Sequence, residues 1–335
     1  MGARTGTEYL EGLRHSSTEI WLGDERISDV TTHPALRGCA QSMAHLYDMQ
    51  HAEDLRDEMT YPSPTSGDPV GLSFITPRSL EDLQRRSAMM FHWSRFSGGM
   101  LGRSSDYINV EIMAAAAAAD FYSQNDPRFG ENARNYYDYA RENDLCMTHT
   151  LVNPQSNRAL TADGHPSADV ALRIVDENAD GMVVRGARIL ATLGPLADEI
   201  MVFPSTVLKA ASDTKSFAFA FTIPCATPGM KFICRESLAY GESPVDHPLS
   251  SRFEEMDTIV VFDDVLVPWT ECSSNQILTC AAATFRRPAA LPIWPSKWPS
   301  RTSAKRNLSW VSPVRLPKHW GPASFNMYRK KSRSA

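Results

Sequence analysis

The chain has 335 residues, 42% hydrophobic and 22% charged, which is ordinary for a soluble globular protein and enough for one or two substantial cores. No apolar run approaches the roughly 18 residues that span a bilayer, and the first residues lack the apolar centre of a secretory signal, so the expected setting is cytoplasmic, with no membrane partner. The formal charge of −5 averages two unlike segments: residues 272–335 carry twelve basic side chains and no Asp or Glu, which leaves 22 basic against 39 acidic residues before them.

In chain order, short helices are expected near residues 8–13 and 34–51. At Ser79-Leu80-Glu81-Asp82 a capping serine stands three residues before an acid, and Leu80, Leu83, Met90 and Phe91 follow at helical spacing. Residues 107–121 contain six consecutive alanines, Ala114 to Ala119, the strongest helix formers, and a further helix is expected over about 132–144. Residues 1–148 therefore read as an N-terminal helical domain.

After Leu151 the texture changes. Residues 170–175 and 182–191 flank the turn Asn178-Ala179-Asp180-Gly181 as a hairpin, and further strands are expected at 199–203, 216–223, 231–235 and 258–262. Short strands without helices between them predict an antiparallel barrel or sandwich over 149–271, making the chain α+β. No GxGxxG or Walker loop occurs, which argues against a Rossmann domain. The six cysteines (Cys39, Cys146, Cys225, Cys234, Cys272, Cys280) show no CxxC pair and no histidine at ligand spacing, so neither a metal site nor a disulfide framework is expected.

Two polar segments stand out. Arg103 and Tyr107 are four residues apart, so they share a face if the helix has already begun, and His149 lies at the junction of the helical and β-rich halves, a favoured place for a pocket. Taken singly, each has a plain structural explanation: a helix-surface contact and a hydrogen-bonding histidine. Thr192 and the pair Ser205-Thr206 carry even less signal alone.

The combination carries more. Asp29-Val30-Thr31-Thr32-His33-Pro34, Gly102-Arg103 with Asp106-Tyr107, Glu131-Asn132-Ala133-Arg134-Asn135-Tyr136, His149 with Val152-Asn153-Pro154, Pro248-Leu249-Ser250-Ser251-Arg252-Phe253 and Val265-Leu266-Val267-Pro268-Trp269 resemble, in that order, the oxygenase components of the 4-hydroxyphenylacetate 3-hydroxylase family. The resemblance covers about residues 6–270. It implies an acyl-CoA dehydrogenase-like plan: an N-terminal helical domain, a middle β domain and a C-terminal helical bundle that builds homotetramers. It also implies ortho-hydroxylation of a small phenol by O2 and reduced FAD, delivered by a separate flavin reductase, through a C4a-hydroperoxyflavin.

By resemblance, Arg103, Ser104, Ser105, Asp106, Tyr107, His149, Ser205 and Thr206 line the substrate pocket. His149, Thr150, Leu151, Gln155, Ser156, Asn157, Arg158 and Thr192 match the FAD-contacting segments, and Arg103, Tyr107 and His149 carry the catalysis. The residue types suit it: a neutral imidazole accepts the phenolic proton at cell pH, and a neighbouring cation favours phenolate. A related branch, flavin-dependent dehydration of an acyl-CoA on an iron–sulfur cluster, needs cysteine ligands that residues 89–101 do not supply.

Beyond Trp269 the family continues into its helical bundle, whereas residues 272–335 hold seven prolines, four tryptophans (Trp294, Trp298, Trp310, Trp320) and no helical period. One reading is a disordered basic tail on a non-catalytic binding protein, with Lys and Arg neutralising phosphate and Trp stacking on bases. The favoured reading is a shifted reading frame, with no nucleic-acid partner and the bundle missing. Read one base out of phase, Phe325-Asn326-Met327-Tyr328 gives Gln or a stop, then His or Tyr, then Val, so that Gln-His-Val can continue as helix-forming text, while Trp298-Pro299 gives Ala and Trp310-Val311 gives Gly, which removes two of the tryptophans. On this reading the 335-residue protein should turn over little; hydroxylation of 4-hydroxyphenylacetate by the purified chain with reduced FAD and O2 would contradict it.

Overall fold

The structure is a computed structural model that describes residues 2–154, 170–204, 216–239 and 243–275. The tail beyond residue 275, Cys280 included, and the expected site residues Gln155, Ser156, Asn157, Arg158, Ser205 and Thr206 lie outside the described residues.

Helix formation follows local chemistry. α1 (Gly6–His15) and α4 (Leu80–Phe96) each begin with a complete capping box, Thr5 with Glu8 and Ser79 with Asp82, so two orphan backbone donors are satisfied reciprocally. α2 (Arg37–Asp48) and the one-turn α3 (Arg56–Met59) precede α4. α7 (Pro127–Glu142) starts on an Asp126 cap with proline in the first turn, where its missing N–H costs nothing. α5 (Asp106–Ala117) is buried at every position from Ile108 to Ala115, so it is a central helix with no solvated face.

The alanine run does not form one helix. It breaks at Ala118, whose backbone leaves the helical region, and α6 (Ala119–Tyr122) follows as a separate turn. The cause is tertiary: α7 crosses so closely at Gly130 that a Cβ there would collide with Ser123 and the Ala119 carbonyl.

The hairpin expected after residue 170 is present as β6 (Arg173–Glu177) and β7 (Gly181–Thr192). Three further expected strands appear as β8 (Glu199–Val202), β9 (Phe219–Pro224) and β10 (Met230–Cys234). The strand expected to stop at residue 262 is longer: β11 (Asp257–Pro268) passes through a bulge between Phe262 and Val265 that lifts Asp263 and Asp264 out of the ladder. Just before it sits α8 (Ser250–Phe253), one turn long.

Strands also occur where the helical reading placed none. β1 (Ile20–Leu22) and β2 (Glu25–Ile27) form a hairpin whose first strand pairs in parallel with β10, and β3 (Thr60–Pro62) pairs with β4 (Pro69–Gly71). β5 (Met147–Thr150) pairs in parallel with β8. The two main sheets, β2-β1-β10-β11-β7-β6 and β12-β9-β8-β5 with β12 at Cys272–Asn275, are therefore mostly antiparallel with two parallel joints.

A large core runs through both halves, and a second cluster of Phe74, Ile108, Ile112, Met147, Met201 and Phe203 fills the seam where α5 and α7 meet the outer face of the β8–β5 edge. Among the described residues the cysteines Cys39, Cys146, Cys225, Cys234 and Cys272 are free and buried.

One polar node ties the start of the chain to this seam. The Arg4 guanidinium donates to both carboxylate oxygens of Asp198, at 2.7 and 3.3 Å, and to the Tyr47 hydroxyl, while Asp198 also accepts from the Cys146 N–H at 2.7 Å. The Arg4 N–H and the Gln50 side chain both donate to Asp144. Removing one partner of such a pair strands the others. Asp198→Ala is expected to cost about 3–5 kcal/mol. Asp264→Ala, which breaks the exposed Arg185–Asp264 pair, should cost less than about 1 kcal/mol. Urea unfolding checks both; equal losses at the two sites would contradict this weighting.

Candidate active site

Strand β5 brings the expected residues together. Its inward side chains Met147 and His149 face α5 and α7, while the hydroxyls of Thr148 and Thr150 turn the other way and donate to the carbonyls of Thr192 and Ile189, at 2.7 and 3.2 Å. His149 is thereby held at the seam between helices and sheet.

His149 is buried, with its ring 5.1 Å from that of Tyr107 and edge-on to Phe203 at 6.1 Å. The Arg103 guanidinium stands over the other end of this stack, 4.2 Å from the Tyr107 ring centre. Arg103 precedes α5, so the pair meets not as two helical neighbours but because the 101–105 loop folds back over the first turn. The result is a row of guanidinium, phenol ring and imidazole at the N-terminal end of a buried helix, the positive end of its dipole.

Ser104, Ser105 and Asp106 are also here, but their side chains point to local tasks. The Ser104 hydroxyl donates to Asp106 at 2.9 Å, and the Ser105 hydroxyl contacts the Cys146 sulfur at 3.5 Å. All three are buried. Thr150 is buried too, and Thr192 donates its hydroxyl to Asp257 at 2.6 Å. Leu151 packs at the edge of the seam cluster.

Two groups were not singled out from the sequence. Arg188 in β7 is fully buried; it donates from Nη1 to Asn153, lies 5.6 Å from the Phe219 ring, and its Nε and Nη2 have no hydrogen-bond partner among the described residues. Burial lowers its pKa to about 9. Its signal was legible in principle: residues 182, 184, 186 and 188 are the inward positions of β7, and a charge in that row is anomalous.

The second group is Glu199, at the far end of the seam. Tyr136 donates to it at 2.5 Å, and Glu271 stands near, in a cleft lined by Ile112, Asn132, Tyr136, Met201, Thr222 and Glu271. Burial raises Glu199 to about 7, the charges of Glu271 and Asp198 add to that, and hydrogen bonds from Tyr136 and Tyr139 oppose it.

A sequence model described as 4-hydroxyphenylacetate 3-hydroxylase N terminal matches residues 5–272. The chain belongs to the 4-hydroxyphenylacetate 3-hydroxylase family. It is 48% identical over 294 residues to the 4-hydroxyphenylacetate 3-monooxygenase oxygenase component of Geobacillus sp. (strain PA-9), covering 87% of this chain and 58% of that protein. With the Thermus thermophilus oxygenase component it shares 49% over 267 residues, 80% of this chain and 54% of the relative. The chain thus spans little more than half the length of these relatives.

A crystal structure of a family oxygenase component complexed with FAD and 4-hydroxyphenylacetate is similar at a TM-score of 0.84 and 44% identity, over 91% of this chain and 62% of that one. An archaeal 4-hydroxybutyryl-CoA dehydratase has a TM-score of 0.78 at 18% identity, over 91% of this chain and 60% of that one, a likeness of fold alone. Helices packed with two mostly antiparallel sheets agree with the α+β class expected from the sequence. No helix among the described residues is long and apolar enough to cross a membrane, and none of their His, Cys, Asp and Glu form a group of three or more able to hold a metal ion.

The Glu199 carboxyl generates a pH prediction. Its folded pKa lies above the ordinary glutamate value of 4.5, so the folded state holds a proton that the unfolded chain releases as pH rises from 4.5 to about 7. Its contribution therefore falls across that window, by on the order of 3 kcal/mol at most, and stays low above it. Urea midpoints should drop from pH 5 to pH 8 more steeply in the native protein than in Glu199→Gln; parallel profiles would contradict the assignment.

Proposed function

We propose that this chain supplies the phenol-binding wall of the oxygenase component of a two-component flavin-dependent monooxygenase. The reaction is hydroxylation of a phenol such as 4-hydroxyphenylacetate, ortho to its hydroxyl, with O2 as co-substrate and reduced FAD from a separate reductase, completed by the part of the relatives' length that this chain does not span. The observation that carries the reading is the row Arg103, Tyr107 and His149 at the seam. Relatives named for 4-hydroxyphenylacetate and, in a Rhodococcus protein 38% identical, for 4-nitrophenol share the phenol ring as common chemistry.

The work of each residue follows from its place. The Arg103 cation lowers the cost of negative charge on a phenolic oxygen placed beside it. Tyr107 donates a hydrogen bond to that oxygen, and a neutral His149 ring nitrogen accepts its proton. Phe203 lies edge-on to the imidazole and belongs with Ile108 and Met201 to one buried apolar cluster, and a dry setting of this kind strengthens these electrostatic effects. Phenolate so held has its ring activated toward an electrophilic oxygen.

FAD fits the residues present. Arg188 offers two unpartnered buried donors to an anionic or carbonyl group, and Leu190 on the same strand, 56% exposed, offers an apolar face to a flat ring. When bound, FAD supplies the activation of O2. The assignments of Thr150, Leu151, Thr192 and the 155–158 segment to the cofactor, and of Ser104, Ser105, Asp106, Ser205 and Thr206 to the substrate, are parts of the same proposal.

The test is a titration of the 335-residue chain with 4-nitrophenol, whose phenolate absorbs in the visible. The bound probe should be more ionised than the free probe at the same pH, and 4-hydroxyphenylacetate should displace it. Arg103→Ala should weaken binding by about tenfold or more and shift the bound probe toward its neutral form; His149→Ala should also weaken it. Unchanged affinity and ionisation in both variants would refute the reading.

A further inference from the structure

The 254–257 segment reaches both sides of the candidate site. Phe253 enters the core against Phe96, with ring centres 5.6 Å apart and nearly perpendicular planes. α2 approaches this corner so closely that a Cβ on Gly38 would run into the Ser251 carbonyl. Next in sequence, the buried Glu254 carboxylate accepts from Arg235 at 2.6 Å, from the Leu238 N–H at 2.7 Å and from the Ser237 hydroxyl at 2.8 Å. Arg235 donates also to the Glu255 carbonyl, at 3.1 Å. The backbone at Glu255 is therefore fixed on three sides.

From that anchored backbone the Glu255 side chain accepts the main-chain N–H of Arg103. Two residues further on, Asp257 accepts from Thr192, and the Met256 carbonyl accepts from the Leu193 N–H at 2.8 Å. The loop carrying Arg103 lies before α5 and outside any regular ladder, so its backbone has no helix or sheet to hold it. A charged acceptor on an N–H is a strong hydrogen bond.

We propose that Glu255 is a positioning residue: by fixing the Arg103 backbone it sets the guanidinium over the Tyr107 ring, and so controls the ionisation of a bound phenol without touching it. The inference rests on the phenol-binding reading of Arg103. It gives the Pro248–Phe253 motif and the acids after it a role that packing alone does not require of Glu255.

A double-mutant cycle on the full chain with 4-nitrophenol as probe tests it. Glu255→Ala should weaken binding about tenfold and shift the bound probe toward neutral; Glu255→Gln, whose amide oxygen still accepts the N–H, should recover most of both. In the Arg103→Ala background, removing the Glu255 carboxylate should change neither readout, because the group it positions is gone. If Glu255→Ala does not fold, Glu255→Asp, shorter by one methylene, takes its place in the cycle.

Glu255 effects that persist without the Arg103 side chain, or that Glu255→Gln fails to rescue, overturn the inference. Loss of binding in Arg103→Ala with native behaviour in Glu255→Ala overturns it too, while leaving the phenol-binding reading intact. Native binding in Arg103→Ala overturns that reading and the inference together.

Discussion

The parallel pairing of β5 with β8 is the constraint on which the site depends. Four residues, Met147 to Thr150, are matched to Glu199, Ile200, Met201 and Val202, and this register places His149 on the helix-facing side beside Phe203. A one-residue slip would turn His149 toward β7 and put a threonine in the seam. The register is fixed at its start by Asp198, which accepts the Cys146 N–H and also holds Arg4. At its end the bridge between Val152 and Ile189 closes the strand onto β7. The node at Arg4 and the imidazole at His149 are thus two ends of one mechanical element.

The seam separates two electrostatic environments. At the N-terminus of α5 the row of Arg103, Tyr107 and His149 favours negative charge. At the opposite end, Glu199 is driven toward its neutral acid by burial and by nearby carboxylates. Ile108, Ile112 and Met201 belong to the buried apolar cluster of the seam. Burying Arg188 with no acid partner among the described residues runs against stability in the same way.

Much of this was legible in the sequence, and the exceptions have physical causes. Helices with explicit caps were readable because Ser79 and Asp82 satisfy backbone donors whatever lies around them. The β6–β7 hairpin announced itself through Asn178 to Gly181. By contrast β5 has no alternation to detect, since Met147, Thr148, His149 and Thr150 are all buried, on both faces. β1 and β2 are three residues each and gain their stability from β10, some 200 residues away, a pairing that no local pattern encodes. The break at Ala118 comes from Gly130 on another helix.

The site was legible by a different route. Spacing alone gave Arg103 and Tyr107 a shared helix face, whereas their contact is made by a loop folding back, and only the family's ordered motifs joined them to His149. Glu255 gives no local signal because its contact is with a backbone 152 residues away, whereas Arg188 is visible as a charge in the inward row of β7. The most direct measurement of the account is a crystal structure of the chain with 4-nitrophenol bound. The phenolic oxygen should lie within about 3 Å of a His149 ring nitrogen and of Arg103 or Tyr107; a probe seated elsewhere, or with its hydroxyl turned away from these three residues, would contradict it.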